Sequence, residues 1–373
     1  MRQEARLDLP TSHVVPLTWL MANAGPAIRY RLATDVFPGL LPQEQLLALK
    51  AEVEATSVVK QITKKQKDSG VWAGNLLGVT PNKTAGIKDV GTIPQYRRLV
   101  EMGLGPENRA VKLGSRLLFR LLSRDDDKKL FFEFEKYSSA EIGAEPWIRE
   151  VLREAAAAAL AHAGFADDPR VRGAAHRIAN NVSTFLRSEA ATTPLVKSGA
   201  AWVLNPTAYP PTIFSVTLLS YMPAVQRERA GLMERLGSYL AAPPPKKAFT
   251  VLAGKKLLKA NFLLLGDPVH VGAAGQPDDP PLALHWAELL ARIGGLQQSA
   301  SFQRFWPRLL KECDSNGVWH PKNLRTLPKS SSPWAYHAFP IETDAKRPEA
   351  RQTDVAFRMA LIARLAGWEL IRT

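Results

Sequence analysis

The chain has 373 residues, of which 46% are hydrophobic and 23% charged, so its composition excludes a disordered protein and allows one large domain or two ordinary ones. It carries 49 Lys and Arg against 35 Asp and Glu, a formal net charge of +14 that favours polyanionic partners such as nucleic acid or an anionic membrane. Cys313 is the only cysteine, which excludes an intramolecular disulfide and a site built from several cysteines.

Two features of the sequence bear on where the protein is located in the cell. The apolar run Phe262–Leu265 is far shorter than the ~18 residues that a membrane span needs. The first residues, Met1–Arg6, lack the apolar core of a signal peptide. We therefore expect a cytoplasmic protein without a transmembrane segment.

Apolar residues at helical spacing predict helices along most of the chain. The predicted helices cover residues 26–37, 42–54, 58–66, 92–102, 110–122, 146–163, 170–187, 211–221, 223–240, 282–293, 301–312 and 350–366. Gly164 is expected to end the helix over 146–163, and Asp167-Asp168-Pro169 to cap the helix over 170–187. A short helix and a Gly/Asp/Pro-rich loop are expected between 248 and 280. Strand signals are scarce, because no clean alternating run is flanked by hairpin turns. The sequence therefore predicts an all-α protein. One domain over 1–373 is expected, with a sub-boundary considered near 190–210 and a Pro-rich spacer at 242–247.

One short pattern occurs twice, at Gln66–Trp72 and at Asp314–Trp319, and each copy ends in Gly-Val-Trp. A helix precedes each copy, and a polar passage follows it. A Thr, Thr92 or Thr353, then opens an amphipathic run and is expected to cap the next helix. In such a unit the Gly turns the chain and the Trp ring packs on a neighbouring helix. We call residues 66–72 and 314–319 the turn-and-Trp units.

The first unit, with Thr92 and the Leu-x-x-x-Gly that ends at Gly103, resembles the repeats of the squalene-cyclase and protein-prenyltransferase superfamily. The segments Pro26–Tyr30 and Thr353–Phe357 resemble those of uncharacterised bacterial proteins with such repeats. This resemblance implies an (α/α) toroid of antiparallel helical hairpins around a central cavity. The alternative is an open superhelix of HEAT type, suggested by the Asp-Pro-Arg-Val-Arg sequence at 168–172.

The catalytic motifs of that superfamily are not matched. The Asp-x-Asp-Asp acid of the class II cyclases is missing at each acidic cluster, because the first Asp is replaced or the spacing is wrong. These clusters are residues 125–127, 167–168 and 278–279. The prenyltransferase zinc site needs an Asp two residues before its Cys, and here Lys311 stands before Cys313. Asp314, Cys313 and His320 are a weak metal set, so no metal or cofactor is predicted.

The stretch 313–354 has the richest mixture of aromatic and titratable side chains, and functional residues are often found in such loops beside a rigid scaffold. The leading hypothesis is a cavity that binds an apolar or amphipathic, isoprenoid-like ligand. The predicted ligand-binding residues are Trp202, Asn205, Tyr209, His285, Trp286, Trp319, His320, Trp334 and Asp354. An enzymatic alternative is a lyase or cyclase in which Tyr336, His337 and Asp344 supply base and acid. The plainer interpretation is a loop that seals the fold, with Trp72 and Trp319 as core residues.

A further alternative follows from the charge. Lysines could bind a polyanion, either nucleic acid or an anionic membrane. The lysines proposed for this role are Lys246, Lys247, Lys255, Lys256 and Lys259, joined by Lys60, Lys64, Lys65 and Lys67. An ordinary exposed helix face would show the same spacing of lysines without binding a polyanion.

Overall fold

The computed structural model describes residues 10–78, 90–123, 127–259, 261–322, 328–330, 332–342 and 348–373. Within these ranges the protein is mostly α-helical, as the sequence predicts. The helices are α1 Leu17–Asn23, α2 Pro26–Arg31, α3 Gln43–Ala55, α4 Ser57–Lys64, α5 Thr92–Glu101, α6 Arg109–Leu122, α7 Glu145–His162, α8 Pro169–Leu186, α9 Ile213–Ser220, α10 Pro223–Glu228, α11 Ala230–Ala241, α12 Pro280–Arg292, α13 Ala300–Lys311 and α14 Pro348–Leu365. The strands are β1 Ser12–Val15, β2 Leu195–Ser198, β3 Ala201–Leu204, β4 Val251–Ala253, β5 Lys256–Leu258 and β6 Glu369–Arg372.

The chain divides into two compact units. The terminal unit joins the residues up to Val53 with Val269–Thr373, and the central unit is Glu54–Pro268. The single toroid domain and the sub-boundary near 190–210 stay predictions. No helix of the described residues is both long enough and apolar enough to cross a membrane.

The terminal unit is built around α14, which contacts α1, α2, α12 and β1. From Gln352 to Ala363 every residue of this helix is buried, as expected of a helix with neighbours on all sides. Strands β1 and β6 pair in parallel, with Ser12 opposite Glu369. The sequence does not predict this pairing, because each strand is only four residues long.

The central unit is organised around α7, which packs against α6, α8 and α9. Ala155–Ala159 are all buried, and their small side chains let the neighbouring helices approach closely. Gly164 adopts φ +90° at the end of α7, and the Asp168 carboxylate caps α8 by accepting the Arg170 N–H at 2.9 Å. The helix–Gly–acidic cap–helix pattern predicted for this region is therefore confirmed.

Several predicted boundaries are wrong. The helix expected over 26–37 becomes a π-helical turn after Arg31, and the one expected over 223–240 breaks at Arg229. The short helix expected after residue 248 is replaced by the antiparallel β4–β5 hairpin. The irregular stretch after Thr192 holds a second antiparallel hairpin, β2–β3. Leu204 donates its N–H to the Thr250 carbonyl at 2.8 Å, which joins the two hairpins.

The two turn-and-Trp units share one backbone geometry. In the first, Lys67 N–H donates to Val71 O at 2.9 Å, and Gly70 N–H donates to Lys67 O at 2.8 Å. In the second, the same two bonds link Asp314 with Val318 at 3.0 Å and with Gly317 at 3.0 Å. The glycines take φ +86° and +83°, and a Cβ on either would lie 2.5 Å from a backbone carbonyl oxygen. Only glycine fits both turns without strain.

Both Trp rings are buried, at 1% exposure for Trp72 and 7% for Trp319. The expected Thr caps are wrong. The N-cap of α5 is Gly91, and the Thr92 hydroxyl instead accepts the Trp72 N–H at 3.1 Å. Thr353 lies inside α14, five residues after its first residue, so it cannot begin that helix.

Candidate functional site

The terminal unit contains a cleft of about 860 Å³. Its walls come from the 273–277 loop, the first residues of α12, helix α13, the 319–322 segment and Val355 of α14. The floor is apolar and formed by buried side chains: Leu284, Phe305, Leu309, Trp319, Phe339 and Val355. Six prolines stand in the wall, and their fixed φ angles limit its conformational freedom.

The rim of the cleft is strongly basic. Among the described residues, the charged ones that line it are Arg304, Arg308, Lys311, Lys322, Lys329 and Glu312, which sets five cations against one carboxylate. All five cations are exposed. The Glu312 carboxylate is already engaged, since it lies 3.2 Å from the Arg308 guanidinium and accepts the Trp319 indole N–H at 3.0 Å. The cleft therefore joins an apolar floor to a cationic rim.

Two residues predicted from sequence, Trp319 and His320, do line this cleft. His320 bridges two elements, because its Nδ1 lies 2.8 Å from Gln352 Nε2 of α14 and its Nε2 lies 3.3 Å from the Asp314 carboxylate. The Asp314 carboxylate also accepts the Val318 N–H at 2.9 Å. The second turn-and-Trp unit thus fixes both side chains at the cleft.

A buried ionic network lies behind the cleft wall. Glu288 of α12 and Arg358 of α14 are both 0% exposed and form an ion pair. Arg292 donates to the same Glu288 carboxylate at 2.9 Å, and the Arg358 guanidinium lies 5.1 Å from the ring centre of Phe339, which lines the cleft. This network holds α12, α14 and the segment around Phe339 together, and so supports the cleft floor.

Three more predicted residues, His285, Trp286 and Asp354, are buried beside this network rather than in the cleft lining. The ring of His285 meets that of His337 edge-on, with centroids 4.8 Å apart. The Asp354 carboxylate accepts the N–H groups of Ile341 and Glu342 at 2.8 and 2.9 Å. Asp354 therefore anchors a loop, and Trp286 fills core space.

The proposed catalytic residues are placed as follows. His337 is 3% exposed, Tyr336 is half-buried, and neither is among the described residues that line the cleft. Asp344 lies outside the described residues. Trp334 is half-buried, and its backbone N–H donates to Ser332 Oγ at 3.2 Å. The acid–base role of these residues stays a prediction.

Trp202, Asn205 and Tyr209 belong to the central unit. Tyr209 donates its hydroxyl to the Glu154 carboxylate at 3.1 Å, and Thr212 donates to it at 2.6 Å. Complete burial raises the pKa of Glu154 to about 7, although the Thr212 hydrogen bond opposes this rise. The pKa of Tyr209 is raised as well, by burial and then by the neighbouring Glu154. Asn205 accepts from Thr207 within its own loop at 3.1 Å.

The lysines proposed for polyanion binding, Lys246, Lys247, Lys255, Lys256 and Lys259, are all exposed and lie on or beside β4–β5. Lys247 Nζ lies 3.6 Å from the ring centre of Trp202. The others, Lys60, Lys64, Lys65 and Lys67, are exposed on α4 and the turn after it.

Metal binding finds no support in the described residues, where no group of three or more His, Cys, Asp and Glu is arranged to hold an ion. The Cys313 thiol donates to the Leu309 carbonyl at 3.4 Å. Burial, with help from Asp314 and Glu312, raises its pKa to about 12, so it is a thiol at neutral pH.

Sequence reasoning missed the residues that do most to build these sites: Arg304, Arg308, Glu288, Arg358 and Glu154. One signal was readable. Glu288 and Arg292 stand four residues apart in a helix that is otherwise largely apolar, which is the spacing of a helical ion pair. A charge inside an apolar run needs a partner, and that rule also applies to Arg358 and Glu154.

Comparisons with protein-family models, curated proteins and solved structures find no significant match to this chain. The superfamily resemblance therefore rests on the repeat motifs alone.

Proposed function

We propose that the protein binds an amphipathic ligand with an apolar, isoprenoid-like chain in the cleft of the terminal unit. The observation that carries this proposal is the cleft itself, since its volume of about 860 Å³ lies within the range of small-molecule sites. Its floor consists of Leu, Phe, Val and Trp side chains, so a chain that enters the cleft would meet an apolar base. The proline-rich wall supports binding, because a rigid site loses little entropy when a ligand enters.

The basic rim indicates the chemistry of the other end of the ligand. Lys311, Lys322 and Lys329 are exposed cations at the mouth of an apolar site. An anionic head group would neutralise them while the chain occupies the floor. A phosphate, diphosphate or carboxylate head group would neutralise these cations, whereas a neutral polar head group would not.

The fold implied by the repeats, an (α/α) toroid, is part of the same proposal. The shared hydrogen-bond pattern of the two turn-and-Trp units supports a repeat architecture. The contacts of α1 and α2 with α14 bring the first and last helices of the terminal unit together, as a toroid requires. A cytoplasmic location is part of this proposal as well.

The test is ligand binding by the full chain, measured by isothermal titration calorimetry. A prenyl diphosphate is compared with the neutral prenyl alcohol of the same chain length, and with inorganic diphosphate. We expect the prenyl diphosphate to bind best, since it alone uses floor and rim. Ala274 is exposed at the cleft lining, so Ala274→Trp should obstruct the cleft and weaken binding at least tenfold.

A charge-reversed pair at the rim, Lys322→Glu with Lys329→Glu, should weaken the diphosphate and leave the alcohol unchanged. The matched control is Lys60→Glu with Lys64→Glu, two exposed lysines of α4 in the central unit. Equal loss in both pairs would show a general charge effect. Absence of binding by the diphosphate and by the alcohol would refute the proposal.

The lyase or cyclase alternative stays a prediction. It needs an acid and a base that face the substrate, whereas His337 is 3% exposed and packs on His285.

A further inference from the structure

We propose that the two hairpins of the central unit form a docking surface for an anionic lipid membrane. This surface, which we call the basic hairpin surface, comprises β2–β3 and β4–β5 with the Pro-rich segment 243–247 before β4. It is independent of the cleft, because all of its residues lie in the central unit and the cleft belongs to the terminal unit.

The first observation is an exposed apolar pair. Leu252 of β4 and Leu257 of β5 are 48% and 55% exposed, and they stand directly opposite each other in the hairpin register. Directly opposed residues of an antiparallel pair share one face. The flanking pair Val251 and Leu258 is buried, so this hairpin turns one face to the core and presents leucines on the other. Single exposed leucines are common, but a matched pair on a strand face is a contiguous apolar patch.

The second observation is charge. The stretches 192–212 and 242–266 carry no Asp or Glu, and they contain six lysines: Lys197, Lys246, Lys247, Lys255, Lys256 and Lys259. All six are exposed. On β2–β3, Lys197 stands opposite Trp202, and Lys247 lies over the same Trp ring at 3.6 Å. The hairpins therefore carry positive charge beside Trp202 and on the same short strands as Leu252 and Leu257.

The third observation is that the tip of β4–β5 is held in place. The Lys255 N–H donates to the Ile142 carbonyl at 2.8 Å, and Gly254 takes φ +58° where a Cβ would collide with that carbonyl. A rigid tip presents Leu252 and Leu257 without an ordering cost on binding.

These features favour a membrane over nucleic acid. Lysines at a membrane interface attract anionic head groups, while exposed leucines enter the boundary between head groups and acyl chains. Phosphates of nucleic acid would use the lysines but leave both leucines in water. Single strands also need open aromatic faces for base stacking, and the Trp202 ring is already covered by Lys247.

The experiment is vesicle co-sedimentation of the full chain. Vesicles of phosphatidylcholine alone are compared with vesicles that contain phosphatidylserine, at low and high salt. We expect binding only to the anionic vesicles and weaker binding at high salt. Because each lysine near an anionic surface contributes about 1 kcal/mol, the triple change Lys255→Gln, Lys256→Gln and Lys259→Gln should weaken binding by roughly 100-fold.

Two further variants separate the lipid from other polyanions. Leu252→Ser with Leu257→Ser leaves the charge unchanged, so it should weaken vesicle binding and leave binding to duplex DNA unaltered. Glu141 is an exposed carboxylate next to Ile142, whose carbonyl holds the hairpin tip, so Glu141→Gln should strengthen vesicle binding. The matched control is Lys60→Gln, Lys64→Gln and Lys65→Gln on and just after α4, which removes the same charge from another exposed surface.

Loss confined to the hairpin variants would support the proposal. The proposal would be overturned if the α4 control lost as much vesicle binding as the hairpin variants. It would also be overturned if the leucine changes had no effect on vesicle binding while DNA competed fully with the vesicles. The same assay measures how binding of the unaltered protein depends on salt and on lipid. Equal binding of the unaltered protein to neutral and anionic vesicles would therefore also overturn the proposal.

Discussion

Glu154 gives the most direct test of how the central unit is built. Its carboxylate is 0% exposed within the Ala-rich part of α7, and it accepts hydrogen bonds from Thr212 and Tyr209. Burial raises its pKa from an ordinary value of 4.5 to about 7. Because the folded pKa lies above the unfolded one, the stability contributed by the neutral carboxyl is fully present below about pH 4.5 and is lost as the pH rises through 7.

The size of the effect follows from the two pKa values. A group that titrates at 4.5 when unfolded and at about 7 when folded destabilises the fold by on the order of 3 kcal/mol at pH 9 relative to pH 4. Glu154→Gln removes the titration but keeps an oxygen that can accept from Thr212. We therefore expect the stability of this variant, relative to the unaltered protein, to rise by roughly 2 to 3 kcal/mol between pH 5 and pH 9.

The measurement is the free energy of unfolding of the central unit at pH 3, 5, 7 and 9, from hydrogen exchange of α7 amides across a urea series. Asp168→Asn is the control of opposite sign, because hydrogen bonding to Arg170 lowers the pKa of Asp168. Its stabilisation is present above pH 3.8 and is lost at lower pH. If the difference between Glu154→Gln and the unaltered protein stays constant from pH 5 to pH 9, the assignment of a buried, titrating carboxyl is refuted.

Two other predictions concern packing. Gly70→Ala should cost at least twice as much stability as Gly164→Ala. Both glycines have positive φ, but only at Gly70 would the new Cβ meet a backbone oxygen, at 2.5 Å. Urea unfolding of both variants measures the two losses, and equal losses would contradict the prediction. Glu288→Gln should destabilise the terminal unit by about 3 to 5 kcal/mol, because Arg358 would keep a buried charge without this carboxylate. The control is Glu52→Gln at an exposed ion pair, which should change the free energy of unfolding by less than about 1 kcal/mol. A similarly small loss in both variants would show that the Glu288 network does not stabilise the fold.

Much of the helical architecture was readable from the sequence because its signals are local. Apolar spacing located most helices, and the cap residues Gly164 and Asp168 fixed the α7–α8 connection. The repeated Gly-Val-Trp predicted two similar turns, and their hydrogen bonds agree. Thr92 does not cap α5 because its hydroxyl accepts the Trp72 N–H, a tertiary contact that no local rule contains. Thr353 fails because α14 begins five residues before it.

The hairpins were missed for a different reason. Strands β4 and β5 have three residues each, too few to show alternation, and the turn at Gly254–Lys255 lacks the Asn-Gly signal of a tight hairpin. Lysines on these strands look the same as lysines on an exposed helix face. Their common surface became visible only through the pairing of Leu252 with Leu257.

The cleft was predicted only in part, since Trp319 and His320 lie in the aromatic-rich stretch while the basic rim comes mainly from α13. Glu288 and Arg358 are 70 residues apart, and one sequence carries no signal that joins them. The sequence can therefore supply the residue types of a site, whereas packing decides which of them share it.

The two parts of the cleft should respond differently to salt, which tests the division between floor and rim. Raising the salt from 0.1 to 1 M shortens the screening length from about 10 Å to about 3 Å, so contacts of an anionic head group with the exposed Lys322 and Lys329 should be largely lost. Burial of the apolar chain on Phe305 and Val355 does not depend on charge. The affinities of a prenyl diphosphate and its neutral alcohol, measured by titration calorimetry across this salt range, should therefore converge. A gap that persists at 1 M salt would mean that buried groups hold the head, and the assignment of the exposed rim would be wrong.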